Sequence, residues 1–136
     1  FVYIKYNKKV NKISEVKNNR GWTKFTYDKK GNLTKALNST SQAVLLVYDR
    51  KGKITKMVDN NLKTKKRRTL SFKYNASGKP IQISMAKIGM INVAYDNSGE
   101  IKRVDSKAGH KMALQVTQAF QNLLTIVKPA CVNLNM

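Results

Sequence analysis

The sequence has few of the residues on which disulfide frameworks, metal sites and acid–base catalysis depend. It contains one Cys, one His and two Pro in 136 residues, and seven Asp and Glu against 27 Lys and Arg. A single Cys excludes an internal disulfide framework and a cysteine-rich metal site, and it leaves the redox compartment open. No stretch approaches the roughly 20 apolar residues of a membrane-spanning helix. The longest apolar run, at 43–48, has the length of a strand.

Catalytic sites are hard to assemble from the residues that remain. A nucleophilic pair of Cys131 and His110 would need both side by side, with a third group to orient the base. Asp28, Asp49 and Asp96 occupy equivalent turn positions, where a structural role is the better interpretation. Every Gly is isolated, so the sequence has no Gly-rich loop that could hold a phosphate. We therefore expect no enzyme activity, no cofactor and no metal.

The rest of the composition is that of a small and strongly basic folded domain. Hydrophobic residues make up 41% of the chain, and the formal net charge is +20. A chain of this length forms one core, with little room for a second. The positive charge attracts polyanions at long range and in a salt-dependent way.

The tyrosines reveal an internal repeat. Five of them recur at intervals of 21, 21, 26 and 21 residues, each is followed by Asn or Asp, and four have a Gly four residues later. The residues that define the repeat are Tyr27, Asp28, Gly31, Tyr48, Asp49, Gly52, Tyr74, Gly78, Tyr95, Asp96 and Gly99. Tyr6 has Val10 at the Gly position, which makes its copy the weakest. A fixed period of this length is typical of a repeat architecture.

Each copy has the pattern of a β-hairpin. Apolar residues stand two and four positions before nearly every Tyr, and this alternation indicates a strand with one buried face. The Asx-x-x-Gly segment that follows is typical of a hairpin turn with a left-handed Gly. We expect all five tyrosines to be core residues. The apolar residues of the return strands are three apart, as in Leu33 and Ala36, which requires a bulge or a change of face. Ile81 and Ile83 are the corresponding residues of the fourth copy.

Two segments depart from the repeat pattern. Leu45 and Val47 add apolar residues to the second face of their strand, which predicts a position in mid-sheet with that face covered by a partner or by the C-terminal segment. Between Tyr48 and Tyr74 the period is five residues longer, and we expect the excess, at 60–68, to form a protruding loop. The loop carries the densest cation cluster of the chain, which comprises Lys63, Lys65, Lys66, Arg67 and Arg68.

The period changes near the C-terminus. Apolar residues at spacings of three and four between Met112 and Val127 predict an amphipathic helix. The predicted fold class is mainly β: a curved antiparallel sheet of about five consecutive hairpins at 1–105. Segment 106–136 adds a helix and a tail, packed on the apolar face of the sheet within the same domain. The exposed strands at both ends of the sheet would permit pairing with another copy.

The motif Tyr-Asp-x-x-Gly-x-Leu/Ile resembles the YD repeat of the RHS family, found in bacterial RHS and polymorphic-toxin proteins and, in related form, in teneurins. The matching segments begin at Tyr27, Tyr48 and Tyr95, and looser matches begin at Tyr74 and Tyr6. The resemblance implies a spiralling antiparallel sheet that encloses a cargo or toxin, and an exported protein of the periplasm, the cell surface or the medium. Five copies are too few to close a shell. The chain is therefore either a fragment of a longer sheet or a small version filled by its own helix.

The repeat and the charge together give the functional hypotheses. The first is a non-catalytic binding or scaffold module that docks on a protein or an anionic cell-surface polymer, with the cation cluster as the leading contact. The alternatives are a basic module that binds nucleic acid or another polyanion, and a fragment of a polymorphic toxin. Nonspecific polyanion binding in vitro follows from the charge alone. Most of the cations are Lys, whereas specific recognition of bases or phosphates tends to use Arg.

Overall fold

A single antiparallel sheet dominates the computed structural model, which describes residues 2–85, 88–106 and 110–130. The sheet contains ten strands in chain order, and each strand pairs with its neighbours in sequence. The strands are β1 (Val2–Asn7), β2 (Lys12–Asn18), β3 (Gly21–Tyr27), β4 (Leu33–Asn38), β5 (Gln42–Tyr48), β6 (Ile54–Asn61), β7 (Arg67–Tyr74), β8 (Pro80–Met85), β9 (Gly89–Tyr95) and β10 (Ile101–Ser106). Helix α1 (His110–Val127) follows and leads into a 3₁₀ turn (Lys128–Ala130). The predicted fold class, five consecutive hairpins and one C-terminal helix, is confirmed.

Every hairpin contains a bulge near the start of its return strand. In the second hairpin Tyr27 pairs with Leu33, but the next pair along the ladder skips Thr34. The extra residue puts Leu33 and Ala36 on the same face, where both are buried. Equivalent register shifts occur in the other four hairpins. The three-residue spacing in the sequence is therefore the signature of a bulge.

The fourth hairpin corrects one detail of the sequence interpretation. Tyr74 pairs with Pro80, and Ile81 is the residue that the ladder skips. Pro80 and Ile83 are buried, whereas Ile81 is only half-buried. The apolar pair of this return strand is therefore Pro80 and Ile83. Proline is tolerated at the first residue of a strand, where no ladder hydrogen bond from its nitrogen is required.

The core lies between one face of the sheet and α1. Val116, Phe120, Leu123 and Val127 of the helix are buried, and the ring of Phe120 lies 5.6 Å from that of Phe72, centroid to centroid. The helix contacts β5, β8, β9 and β10, and the 3₁₀ turn reaches β2. The helix therefore crosses the apolar face of the sheet, as expected for an amphipathic helix with one sheet to pack on. No helix among the described residues combines the length and the apolarity needed to cross a membrane.

The opposite face of β5 is not covered by the helix. β5 lies in mid-sheet, as predicted, but Val47 is 46% exposed and Leu45 is half-buried. Ala43 and Val58 are buried yet stand outside the core cluster, so neighbouring side chains of the sheet cover this face locally. The cover that the sequence predicts over Leu45 and Val47 is not supplied by α1.

The longer interval between the third and fourth tyrosines extends two strands. β6 continues to Asn61 and β7 begins at Arg67, with Asn60 paired to Arg67 and Asp59 to Arg68. Only residues 62–66 connect the two strands. The prediction of a protruding loop over 60–68 is therefore wrong at both ends, because cross-strand pairing continues there.

Candidate functional site

The repeat tyrosines join each hairpin to the one before it. In four of the five repeats, the tyrosine hydroxyl donates a hydrogen bond to a backbone carbonyl oxygen at the start of the preceding return strand. The acceptor is the first residue of β4, β6 or β8, and in β2 it is the second residue, Ile13. The bonds run from Tyr27 to Ile13 (2.6 Å), Tyr48 to Leu33 (2.7 Å), Tyr74 to Ile54 (2.5 Å) and Tyr95 to Pro80 (2.6 Å). In every case the acceptor is the residue that pairs with the tyrosine of its own hairpin. We call each of these tyrosine–carbonyl hydrogen bonds an inter-hairpin joint. The spacing of the tyrosines in the sequence is therefore the spacing of these joints along the chain.

Burial favours the protonated form of the Tyr48, Tyr74 and Tyr95 phenols by raising their pKa values. Desolvation raises the pKa of Tyr48 and that of Tyr74 to about 12, and the carboxylate of the preceding turn, Asp28 or Asp49, adds to the shift. Desolvation also raises the pKa of Tyr95. A protonated phenol is the form that donates to a carbonyl, so the joint is stable over the neutral pH range.

Tyr6 differs from the other four repeat tyrosines. Its side chain is 60% exposed, whereas the others are half-buried and pack against the core. β1 is an edge strand, and among the described residues no strand pairs with its outer edge. The prediction that all five tyrosines are core residues is therefore wrong for Tyr6, because the core position of a repeat tyrosine depends on the hairpin before it.

The Asx-x-x-Gly turns share one hydrogen-bond arrangement. Oδ1 of Asp28 accepts from the backbone N–H groups of Lys30 and Asn32, both at 2.9 Å, and the Asp28 carbonyl accepts from Gly31 N–H at 3.1 Å. Gly31 has a φ of +85°, where a side chain would be strained. The turns at Asp49, Asn75 and Asp96 repeat this arrangement. These Asx side chains therefore hold the turns.

The first turn is one residue longer than the others. Asn11 adopts a φ of +54°, and its N–H donates to the Asn7 carbonyl at 2.9 Å. Asn is the residue that tolerates this left-handed conformation best after Gly. Asn11 therefore replaces the missing Gly, and Val10 does not.

A lysine lies beside three of the four tyrosine joints. It is the residue just before the acceptor, and its ammonium group lies over the tyrosine ring of the next hairpin. The pairs are Lys12–Tyr27 (5.8 Å to the ring centroid), Lys53–Tyr74 (5.9 Å) and Lys79–Tyr95 (5.1 Å). Lys12 also donates to the Gly31 carbonyl at 2.8 Å, and Lys79 to the Gly99 carbonyl. Asn32 holds this position in the second hairpin.

The candidate cation cluster lies at the opposite end of the sheet from the Asx-x-x-Gly turns. Lys63, Lys65 and Lys66 belong to the β6–β7 turn, and Arg67 and Arg68 begin β7. All five side chains are exposed. The structure therefore brings all five sequence-predicted contacts to one end of two paired strands, although they do not have equivalent surroundings.

Arg68 differs from the other four because it is held by a buried carboxylate. Its Nη2 donates to Oδ2 of Asp59 at 2.7 Å, and Gln42 Nε2 donates to Oδ1 of the same side chain at 2.9 Å. Among the described residues, no carboxylate lies within 4.0 Å of the charged groups of Lys63, Lys65, Lys66 or Arg67. The other four cations of the cluster are therefore uncompensated by carboxylates in this part of the chain.

A half-open concavity of about 720 Å³ borders the cluster. Its lining comprises Thr40, Gln42, Asp59, Asn61, Thr64, Lys66, Arg67 and Arg68. Hydroxyl, amide, carboxylate and cationic side chains thus line one concavity. The sequence did not identify Asp59 or Gln42 as members of this site, because their roles depend on the register that sets Asp59 opposite Arg68.

The other sequence candidates form no comparable site. Within the described residues, no group of three or more His, Cys, Asp and Glu side chains could hold a metal ion. His110 is the first residue of α1, and Cys131 lies outside the described residues. The cation cluster and its concavity are therefore the candidate functional site.

Comparison with known proteins supports the assignment that the repeat geometry indicates. No curated protein matches the chain. The family model described as Teneurin YD-shell matches residues 2–108, a range that includes all ten strands, the tyrosine joints and the Asx-x-x-Gly turns. The resemblance to YD-repeat proteins is thereby confirmed, and the chain belongs to the teneurin YD-shell family.

Proposed function

We propose that this YD-repeat chain is a non-catalytic scaffold module that docks on an anionic polymer at the cell surface. The contact surface would be the cation cluster Lys63, Lys65, Lys66 and Arg67, together with the guanidinium of Arg68. The observation that carries the proposal is the concentration of uncompensated positive charge beside a concavity lined by hydroxyl, amide and charged side chains.

The rest of the fold supports a scaffold role. The repeat tyrosines and Asx residues are occupied by joints and turns, and the apolar face of the sheet is occupied by α1. What remains for a partner is the outer face of the sheet, its two edge strands and the two ends that carry the turns. The end that carries the cluster offers the most cations in the shortest stretch of chain.

Electrostatics favours a polymer over a small anion. The net charge of +20 attracts a polyanion from a distance, and release of counterions from the polymer drives binding at low salt. Local specificity would come from Arg68, because Asp59 fixes one edge of its guanidinium while half of the side chain stays exposed. A guanidinium held in this way is a preorganised donor for an acidic group.

The proposal includes export from the cytoplasm. Membership of the YD-shell family supports it, since the resemblance to YD-repeat proteins implies exported proteins of the periplasm, the cell surface or the medium. A cell-surface location would bring the cation cluster into contact with acidic glycans or teichoic acids.

A titration across a salt series tests the proposal. The probes are heparin, teichoic acid, lipopolysaccharide and double-stranded DNA, each with the full chain at low and high NaCl. We expect one glycan-type polymer to keep measurable binding at a salt concentration that abolishes binding of DNA. Equal loss of binding to all four probes at high salt would show that the interaction is nonspecific charge attraction. Tightest binding to DNA would favour a nucleic-acid-binding module instead.

A pair of charge-matched variants locates the contact. One variant combines Lys63→Gln, Lys65→Asn, Lys66→Gln and Arg67→Gln. The control removes the same charge from exposed turns at the other end of the sheet, through Lys29→Gln, Lys30→Gln, Arg50→Gln and Lys51→Gln. We expect the first variant to lose at least about tenfold more affinity than the control, since each phosphate-type contact contributes separately. Equal losses would remove the cluster from the proposal.

A further inference from the structure

The first strand carries a dense group of exposed apolar side chains. Val2, Tyr3, Ile4 and Tyr6 are exposed by 69%, 48%, 44% and 60%, and they account for four of the seven large hydrophobic side chains exposed in the described ranges. β1 is also an edge strand, paired on one side only. An exposed apolar edge with unpaired backbone groups favours addition of another strand.

The contact that β1 lacks is the one that joins every pair of successive hairpins. In β3, β5, β7 and β9 the tyrosine donates to a carbonyl of the preceding even-numbered strand. Tyr6 stands at the equivalent position of β1 and carries the same donor. An even-numbered strand beside β1 would supply the acceptor.

The matching acceptor lies at the other edge of the same sheet. β10 begins at Ile101, which pairs with Tyr95 as Leu33, Ile54 and Pro80 pair with the tyrosines of their own hairpins. The Ile101 carbonyl therefore stands where a following tyrosine would donate. One chain thus carries both halves of an inter-hairpin joint, on opposite edges of its sheet.

We propose that the β1 edge of one copy pairs antiparallel with the β10 edge of a second copy, with the Tyr6 hydroxyl donating to the Ile101 carbonyl. The pairing has the antiparallel direction of the four joints within the chain and again places an odd-numbered strand after an even-numbered one. A second copy is the occupant that we infer, because its β10 edge carries the matching half of the joint. The interface joins two different edges, so each added copy leaves one β1 edge and one β10 edge open. Such a heterologous contact either extends or closes into a ring.

The net charge sets the condition for association. Two copies at +20 each repel one another, and the range of this repulsion falls to about 3 Å at 1 M salt. Association of copies is therefore expected to strengthen as NaCl rises, whereas binding to a polyanion weakens. The two proposals thus respond to salt in opposite directions, and each can fail without the other.

Sedimentation equilibrium of the full chain at low and high NaCl tests the pairing. We expect monomers at low salt and oligomers at high salt. Tyr6→Phe keeps the ring and removes the donor, so it should weaken association about fivefold, the equivalent of one hydrogen bond. Ile4→Lys should abolish association. The control Val47→Lys changes a side chain of similar exposure in mid-sheet, 46% against 44%, and should leave association unchanged.

The opposite results would overturn the proposal. A monomer at every salt concentration would exclude the pairing. Equal effects of Ile4→Lys and Val47→Lys on association would show that high salt causes nonspecific salting-out and not pairing through β1. Head-to-tail order is tested by a photoreactive p-benzoylphenylalanine in place of Tyr6, followed by mass spectrometry of the cross-linked peptides. Cross-links to β10 of the second copy would support the proposal, whereas cross-links to its β1 would show a symmetric pairing and contradict it.

Discussion

The Tyr48 hydroxyl donates to the Leu33 carbonyl oxygen at 2.7 Å and so connects the third hairpin to the second. Tyr48 packs against the core, and Leu33 is also paired with Tyr27 of its own hairpin. Leu33 therefore takes part both in the pairing of its own hairpin and in the attachment of the next one. Attachment of the next hairpin uses the hydroxyl as donor, which accounts for a tyrosine and not a phenylalanine at this position of the repeat.

Tyr48→Phe is expected to lower the free energy of unfolding by about 1 kcal/mol, because it removes one partly buried hydrogen bond while the ring is retained. Urea unfolding followed by circular dichroism measures the change. Tyr6→Phe is the matched control, since Tyr6 is exposed, and the monomeric protein at low salt should keep its stability. An equal effect of both substitutions would show that the hydroxyl bond of Tyr48 contributes nothing specific.

The raised pKa values of Tyr48 and Tyr74 predict a loss of stability at high pH. The folded-state pKa of about 12 exceeds the ordinary value of 10.0, so the folded protein holds these protons more tightly than the unfolded chain. The stabilisation from this difference is complete below pH 10 and is lost as the pH rises towards 12. Urea unfolding over this interval should show the decline. The double variant Tyr48→Phe, Tyr74→Phe should show a weaker pH dependence, and an unchanged one would contradict the assignment.

Most of the fold follows from local sequence patterns. Period-two alternation before each tyrosine, the Asx-x-x-Gly turn and the three-to-four spacing of α1 each depend on residues close in sequence, and each predicted its element. The spacing of Leu33 and Ala36 required a bulge or a change of face, and the register contains the bulge. Local patterns sufficed here because each hairpin forms from contiguous residues.

The misjudged features depend on how one strand pairs with another, which the residue pattern of a single strand does not reveal. Tyr6 is exposed because no other strand of the described residues pairs with the outer edge of β1, and the pattern around Tyr6 does not reveal this. The strand pairing at Asp59 and Arg68 replaced a predicted loop, because the excess residues extended β6 and β7 as a pair. The candidate site was consequently predicted as a set of cations, without the carboxylate that holds one of them.

Gly52→Val is expected to destabilise the protein through the backbone alone. Gly52 has a φ of +84°, and a Cβ at this position would meet no atom within 4 Å. A β-branched residue is strained in this conformation by roughly 1–2 kcal/mol, and the free energy of unfolding should fall by about that amount. Gly52→Asn is the control, because Asn tolerates the left-handed region and should cost less. Equal stability of the Val variant and the wild type would contradict the turn conformation.

Asn32→Lys is expected to stabilise the protein, although it adds a charge to a chain that is already strongly basic. Lys12, Lys53 and Lys79 hold the equivalent position and place an ammonium over the next tyrosine ring. A Cβ at Gly78 would lie 3.1 Å from Nζ of Lys53, whereas one at Gly52 would meet nothing within 4 Å, so the space beside Gly52 is open to a lysine.

The expected gain for Asn32→Lys is about 0.5–1 kcal/mol in the free energy of unfolding, from a cation–π contact with Tyr48. Asn97→Lys is the charge-matched control, because Asn97 is exposed and the corresponding residues of the second and third turns are Lys29 and Arg50. It should leave the stability unchanged or lower it slightly through added repulsion. The reverse substitution, Lys53→Asn, should destabilise the protein by a similar amount. If Asn32→Lys and Asn97→Lys behave alike, the lysine position contributes only charge, and the ammonium over the ring adds nothing to the joint between hairpins.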